Sequence, residues 1–159
     1  MRKTLMTGLA LCALSVGQLA IADNHISDKQ IETAVKARKA HMQLYAFHLG
    51  TLGAMAKDEA PYDAEAAQSA ADAIAALAGL PQSGYWLPGS DNGSFENTRA
   101  LPAIWAEGSD VGKKAQEFSA AVMAMQTAAG SGVDGLKAAM GPLGGACSSC
   151  HKEYRQSDD

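Results

Sequence analysis

The stretch Cys147-Ser148-Ser149-Cys150-His151 decides how the rest of the chain is read. Cys-x-x-Cys-His is the pattern by which a c-type haem is attached to a protein. Each thiol adds across a vinyl group of the porphyrin to leave a thioether, and the following histidine offers an imidazole nitrogen to the iron. On a helix, Cys150 and His151 lie three and four residues beyond Cys147, so all three share one face. One turn then anchors the edge of the ring and ligates its centre. The rival readings are weaker. A structural zinc site needs about four Cys or His ligands, and the remaining cysteine, Cys12, falls in what reads as a leader. A thioredoxin-like dithiol expects a βαβ setting, and no stretch of this chain reads as a strand.

Upstream of the motif, Leu136, Met140, Leu143, Cys147, Cys150 and Tyr154 recur at steps of four and three, the rhythm of a helix that buries one stripe. The haem cysteines therefore fall on the core stripe itself. Gly141-Pro142 predicts a kink or interruption, and Gly144 and Gly145 leave room for a flat ring. Gly130-Ser131-Gly132 separates this helix from another, which Asp110 is placed to cap. That helix carries Val111, Ala115, Phe118, Val122, Met125 and Ala129 in the same rhythm.

Residues 81–107 are broken by Pro81, Pro88, Pro102, Gly84, Gly89 and Gly93, and predict a long irregular connection. Loops of this length are usually functional or disordered; Tyr85, Trp86, Phe95 and Trp105 favour a role in covering an apolar ligand or sealing the end of the domain. Before it, Asp63 caps an alanine-rich helix ending near Gly79, with Ala67, Ala71, Ile74 and Ala78 on one face. Such small side chains let a neighbouring helix or a second subunit approach closely, although alanine also simply favours helix.

The first helix spans about 28–56, opened by a capping box of Ser27 and Gln30. Its stripe reads Ile31, Val35, Arg38, Met42, Tyr45, Leu49 and Leu52. Arg38 is the odd member, because a guanidinium on a core stripe needs a buried anion or a route to solvent; a haem propionate is such an anion. Helical patterns without strand candidates predict an all-α antiparallel up-down four-helix bundle around the haem.

The 159-residue length suits one domain. Residues 1–22 read as a cleaved secretory signal peptide: Arg2 and Lys3, an apolar run from Leu5 to Ala20, and small residues at Ala20-Ile21-Ala22. Removing Arg2 and Lys3 from the 13 basic residues leaves 11 against 17 acidic ones, so the mature segment 23–159 is acidic and nucleic acid is not an expected partner. Its only cysteines are then the motif pair, in a compartment that would permit disulfides. Export also suits a c-type haem, which is attached outside the bacterial inner membrane.

His151 fills one axial site, and the residues after it include neither Met nor His. A sixth ligand must come from Met42, Met55, Met123, Met125, Met140, His41 or His48. Met42 is best placed, four residues past Arg38 on the same face. It either binds the iron, which would raise the potential, or only packs on the ring. His41 and His48 are expected at the surface or locally satisfied.

The chain resembles cytochrome c′, the class II c-type cytochromes, over nearly all of its mature length. The resemblance rests on Ala37-Arg38-Lys39-Ala40-His41-Met42, Ala60-Pro61-Tyr62-Asp63, Leu101-Pro102-Ala103-Ile104-Trp105 and the run from Cys147 to Arg155, with the haem motif at the C-terminal end. It implies a periplasmic, usually dimeric bundle with five-coordinate haem c. It further implies that Arg38 holds a propionate with Lys39 beside it, that Met42 is the distal residue, and that Tyr85 lines the distal pocket. Arg155 would stand over the proximal face. Thr98 or Arg99 could also reach a propionate from a loop that is longer here than in relatives.

The expected function is capture of nitric oxide or carbon monoxide, with the ability to pass electrons to an unknown partner. On the predicted stripe no donor capable of holding bound oxygen is evident except Arg38, which is expected to be engaged. The alternative is a six-coordinate electron shuttle with Met42 bound to iron. An enzyme acting on organic substrates is not expected, because no paired carboxylate or nucleophile–base set accompanies the haem.

Overall fold

The structure is a computed structural model that describes residues 26–157; the expected leader, 1–22, lies outside the described residues. Four helices carry the fold: α1 (Asp28–Ala56), α2 (Ala64–Ala78), α3 (Val111–Ala128) and α4 (Val133–Tyr154). Each packs against its neighbour in sequence and α4 returns to α1, which closes an up-down bundle. Among the described residues there is no β-strand, only an isolated bridge between Ala100 and Arg155. No described helix is long and apolar enough to cross a membrane.

The helix starts follow the predicted chemistry in two places. Ser27 Oγ accepts from the Gln30 N–H at 3.4 Å, and the Ser27 N–H donates to Gln30 Oε1 at 2.9 Å, completing the capping box of α1. Asp63 accepts from the Ala66 N–H at 2.9 Å and caps α2. At α3 the expectation fails in detail. Asp110 occupies the cap position, but its carboxylate takes the Tyr154 hydroxyl instead of a first-turn N–H. Of the kink or interruption predicted at Gly141-Pro142, the interruption is absent, for α4 runs through Pro142. Proline there forfeits one backbone bond to the carbonyl four residues earlier, and the flanking turns hold the helix together.

The main core joins all four helices. Leu52, Ile74, Met125, Leu136 and Leu143 are fully buried, and full burial of such side chains stabilises by about 1.5–3 kcal/mol each. Ala67, Ala70 and Ala71 on α2 are buried with them, so the small-residue face packs within this chain. Close approach is tightest at the α3–α4 turn. A Cβ on Gly130 would stand 2.7 Å from Gln68 Oε1. Tyr62 Oη bridges the same turn, donating to the Ala129 carbonyl at 2.9 Å and accepting from the Gly132 N–H at 3.0 Å.

Between α2 and α3 the long connection is ordered by two 3₁₀ turns, Ser83–Tyr85 and Pro102–Trp105. Its later part lies against the chain that follows α4. The Leu101 N–H donates to the Tyr154 carbonyl at 3.0 Å, and the Gln156 N–H to the Arg99 carbonyl at 2.8 Å. The Arg99 guanidinium adds two bonds to the Gln156 carbonyl, at 3.0 and 2.6 Å. This clasp places the connection beside the Cys-x-x-Cys-His turn.

Candidate haem-binding site

The last turns of α4 present Cys147 and Cys150 half-buried and unbridged, with His151 exposed beside them. Burial pushes both thiols above their ordinary range, so they stand as neutral thiols, the form consumed when a thioether is made. Partial enclosure is the largest cause that lowers the pKa of His151, although its outer edge meets solvent. The guanidinium charges of Arg155 and Arg99 add to it. A neutral imidazole keeps its lone pair for a metal.

Whether these residues fit a haem can be judged from their arrangement. Among the described residues no three Cys, His, Asp or Glu side chains converge where they could hold a metal ion. A zinc site requires such convergence. A porphyrin does not, since its vinyl groups lie at the rim and its iron at the centre. Open space also flanks α4 one turn earlier: nothing lies within 4 Å of a Cβ built on Gly141, Gly144 or Gly145. The donor set and the space beside it suit a flat ring. Two surface hollows lie on other faces of the bundle: one of about 480 Å³ between the first turns of α1 and Gly84, Tyr85 and Leu87, and one of about 310 Å³ beside Asp63, Glu65, Ala66 and Ser69.

Across the bundle, α1 supplies the opposing side chains, and here the sequence expectation needs correction. The buried line of α1 is Ile31, Ala34, Val35, Arg38, His41, Tyr45, Leu52 and Met55. His41, expected at the surface or locally satisfied, is only 5% exposed, and Met42 beside it is 38% exposed to the space outside this chain's own side chains. From Arg38 the interior stripe takes a step of three rather than four. Either step is compatible with a 3.6-residue turn, so composition favoured the apolar member and the packing chose its neighbour.

Arg38 is 5% exposed, and burial lowers its pKa. Its Nη1 donates to the Tyr85 carbonyl at 3.2 Å and Ser90 Oγ at 3.1 Å; its Nη2 donates to the Ser90 carbonyl at 2.9 Å and Thr98 Oγ1 at 2.6 Å. The guanidinium also lies 4.6 Å from the ring centroid of Trp86, a cation–π contact. Among the described residues no carboxylate forms an ion pair with it, so its charge is solvated by neutral acceptors while its Nε–H remains for an anion. Arg38 is therefore the peg on which the 85–98 segment hangs, a role sequence reasoning missed. Lys39 reaches the Asn97 carbonyl of the same segment at 3.5 Å.

The other predicted residues divide. Tyr85 is half-buried with its ring 5.7 Å from that of His41. Thr98 is engaged by Arg38, and Arg99 by the Gln156 carbonyl; Arg155 follows α4 in the bridge to Ala100. Trp86, Trp105, Ala100, Ile104 and Cys150 pack around Tyr154, and Trp105 Nε1 donates to the Trp86 carbonyl at 3.1 Å. The loop aromatics thus cover the motif turn and the bundle end together. Among the alternative axial candidates, Met55 and Met125 are buried in the main core, with Met55 Sδ taking the Asp63 N–H at 3.4 Å. Met123 is 62% exposed, Met140 packs against the main core beside Gly53, and His48 stacks edge-on against Phe47.

With this arrangement in view, the likeness to known proteins can be stated. The family model described as Cytochrome C′ matches residues 33–155. The chain belongs to the cytochrome c′ family. Cytochrome c-554 of Cereibacter sphaeroides is 44% identical over 130 residues, covering 82% of this chain and 98% of that protein. The solved cytochrome c′ of Rhodobacter sphaeroides superposes with a TM-score of 0.78 at 39% identity, over 80% of this chain and 98% of that one. Two solved variants of the Alcaligenes xylosoxidans cytochrome c′, one a nitric oxide complex and one with carbon monoxide bound, superpose with TM-scores of 0.70 at 31% identity, over 80% of this chain and 97% of theirs. As a family member this cytochrome carries covalently attached haem c, a redox cofactor.

Proposed function

We propose that this protein binds small diatomic gases, nitric oxide and carbon monoxide, at haem iron held by His151 and left five-coordinate, and that it can also pass electrons. Cys147 and Cys150 hold the ring, and partial burial, aided by the charges of Arg155 and Arg99, disfavours protonation of the proximal imidazole. Arg38 offers its Nε–H to a propionate, with Lys39, Thr98 and Arg99 in the segment around it. Tyr85 borders the distal side. We read the protein as a binder and carrier, not an enzyme, working in the periplasm as a homodimer after loss of residues 1–22.

The observation that carries the reading is the donor set of α4: Cys147 and Cys150 stand half-buried and unbridged with a single imidazole, His151, beside them. Met42 lies beside the line Arg38–His41–Tyr45 and is not enclosed by this chain's own side chains, so it is available to pack on the ring as a flexible apolar gate that a diatomic can displace. The gas complexes of the Alcaligenes relative support the same use of the site.

Visible absorption of the ferrous protein before and after carbon monoxide tests this. A broad high-spin spectrum that sharpens on adding the gas is expected. Sharp, split α and β bands that carbon monoxide leaves unmoved would establish a six-coordinate shuttle, with Met42 or His41 as the extra ligand.

A further inference from the structure

Two buried polar atoms of α1 lack a hydrogen-bond partner, His41 Nε2 and Tyr45 Oη. Leaving a buried hydroxyl unpaired typically costs ~1–3 kcal/mol, so such a group invites a reason. The two rings meet edge to face with centroids 4.7 Å apart. Tyr45 is 6% exposed, and its far side packs on Phe118 of α3 at 5.2 Å. It shares the main core with Leu143, one turn before Cys147 on α4. Cys147 lies in the neighbourhood of its phenol. The Gln82 side chain also lies near, outside hydrogen-bond geometry. His41 has the Leu77 carbonyl in its vicinity. Along α1, Tyr45 stands four residues past His41 and seven past Arg38, on the buried line that packs toward α4 and the haem-bearing turn.

We propose that Tyr45 Oη is a hydrogen-bond donor to the diatomic bound at the iron, and that it tunes which gas this pocket retains. The inference rests on the gas-binding reading above and adds a specificity residue to it. A donor stabilises a ligand in proportion to the electron density that ligand carries on its outer atom. Nitric oxide, more polarised than carbon monoxide on ferrous iron, would be held back more strongly. The hydroxyl remains a donor across the working range because burial, the largest cause, raises its pKa to about 12. His41 supports it from the side: its ring fixes the Tyr45 ring, making His41 a positioning residue.

Tyr45→Phe deletes the hydroxyl and keeps the ring contacts. The ferrous carbon monoxide complex of each protein is examined for its C–O stretch, and stopped flow gives the dissociation rates of carbon monoxide and nitric oxide. The expected result is a C–O stretch at higher frequency in the variant and nitric oxide dissociation faster by roughly fivefold to tenfold, the loss of one ordinary hydrogen bond. Carbon monoxide dissociation should change less, and the thermal stability of the ligand-free protein should hold or rise. An unchanged stretch with unchanged rates overturns the proposal, leaving Tyr45 an idle core hydroxyl. An unchanged stretch with a shifted midpoint potential also overturns it, by placing the hydroxyl on the Cys147 sulfur. If the unmodified protein binds neither gas, the gas-binding reading falls first and this one with it.

Discussion

The two ends of the bundle are built on different physics. At one, Leu52, Ile74, Met125 and Leu136 are wholly enclosed, with alanines of α2 filling the gaps between them. At the other, the buried set includes Arg38, His41, Ser90 and Asp91. There burial opposes ionisation of Asp91, but hydrogen bonds from Ser94 and Gly93 outweigh it and hold its carboxyl below the ordinary range. Tyr45 joins the regions, belonging to the apolar cluster while its ring meets that of His41. The apolar end holds the helices together by area alone, with no demand on geometry beyond close packing. The polar end spends stability on groups that need specific partners, and that is where the haem-bearing turn lies.

If this division is real, its strongest test is at the apolar end. Leu136→Ala should cost about 2–5 kcal/mol in chemical denaturation, while the visible spectrum of the folded protein stays as it was. A spectrum that changes with Leu136 would mean the two ends are one cooperative site. Arg38→Met comes next. It removes four hydrogen bonds from one guanidinium to the 85–98 segment, and a hydrogen bond to a charged group contributes roughly 1.5–3 kcal/mol net of its exchange with water. The expected outcome is early proteolytic cutting within residues 85–98 at little cost to helix content. A drop in helical circular dichroism comparable to that of Leu136→Ala would break the comparison.

The smallest effect is in pH dependence. Burial, the largest cause, lowers the pKa of His41 in the folded state, against a weaker opposing influence of the Leu77 carbonyl. A folded pKa below the unfolded one means that the unfolded chain binds the proton first, so stability falls as pH drops below about 6.5. The decline ends once the folded imidazole also takes its proton. His41→Phe should flatten the melting temperature between pH 7 and 5 relative to the unmodified protein. An unaltered slope would show that His41 reaches solvent or a partner on protonation.

Much of this architecture was legible in the chain. The limits of α1, the caps at Ser27 and Asp63, and the stripe that carries Cys147 and Cys150 all follow from local rules. Those signals act over a single turn of helix. The polar end was less legible because its contacts join residues far apart in sequence. Arg38 reads as a buried charge in want of an anion; that it takes carbonyl and hydroxyl oxygens of Tyr85, Ser90 and Thr98 depends on how a proline- and glycine-broken loop folds back. The burial of His41 has a different origin. Two adjacent positions both satisfy the helical period, and hydrophobicity alone draws attention to Met42. Spacing from Arg38 at i+3 as well as i+4 would have kept His41 in view. Asp110 shows a third case, a competent cap drawn away by the hydroxyl of Tyr154.

The two tryptophans of this sequence, Trp86 and Trp105, sit together at the polar end with ring centroids 6.4 Å apart. Haem absorbs where tryptophan emits, so indole fluorescence is quenched while the chain stays folded around the attached ring. Light from this protein therefore reports on one end alone. As denaturant is raised, emission should recover when the 85–105 segment lifts away, and ellipticity should fall when the helices part. Where the two curves separate, the bundle opens in stages; where they coincide, it opens as one unit.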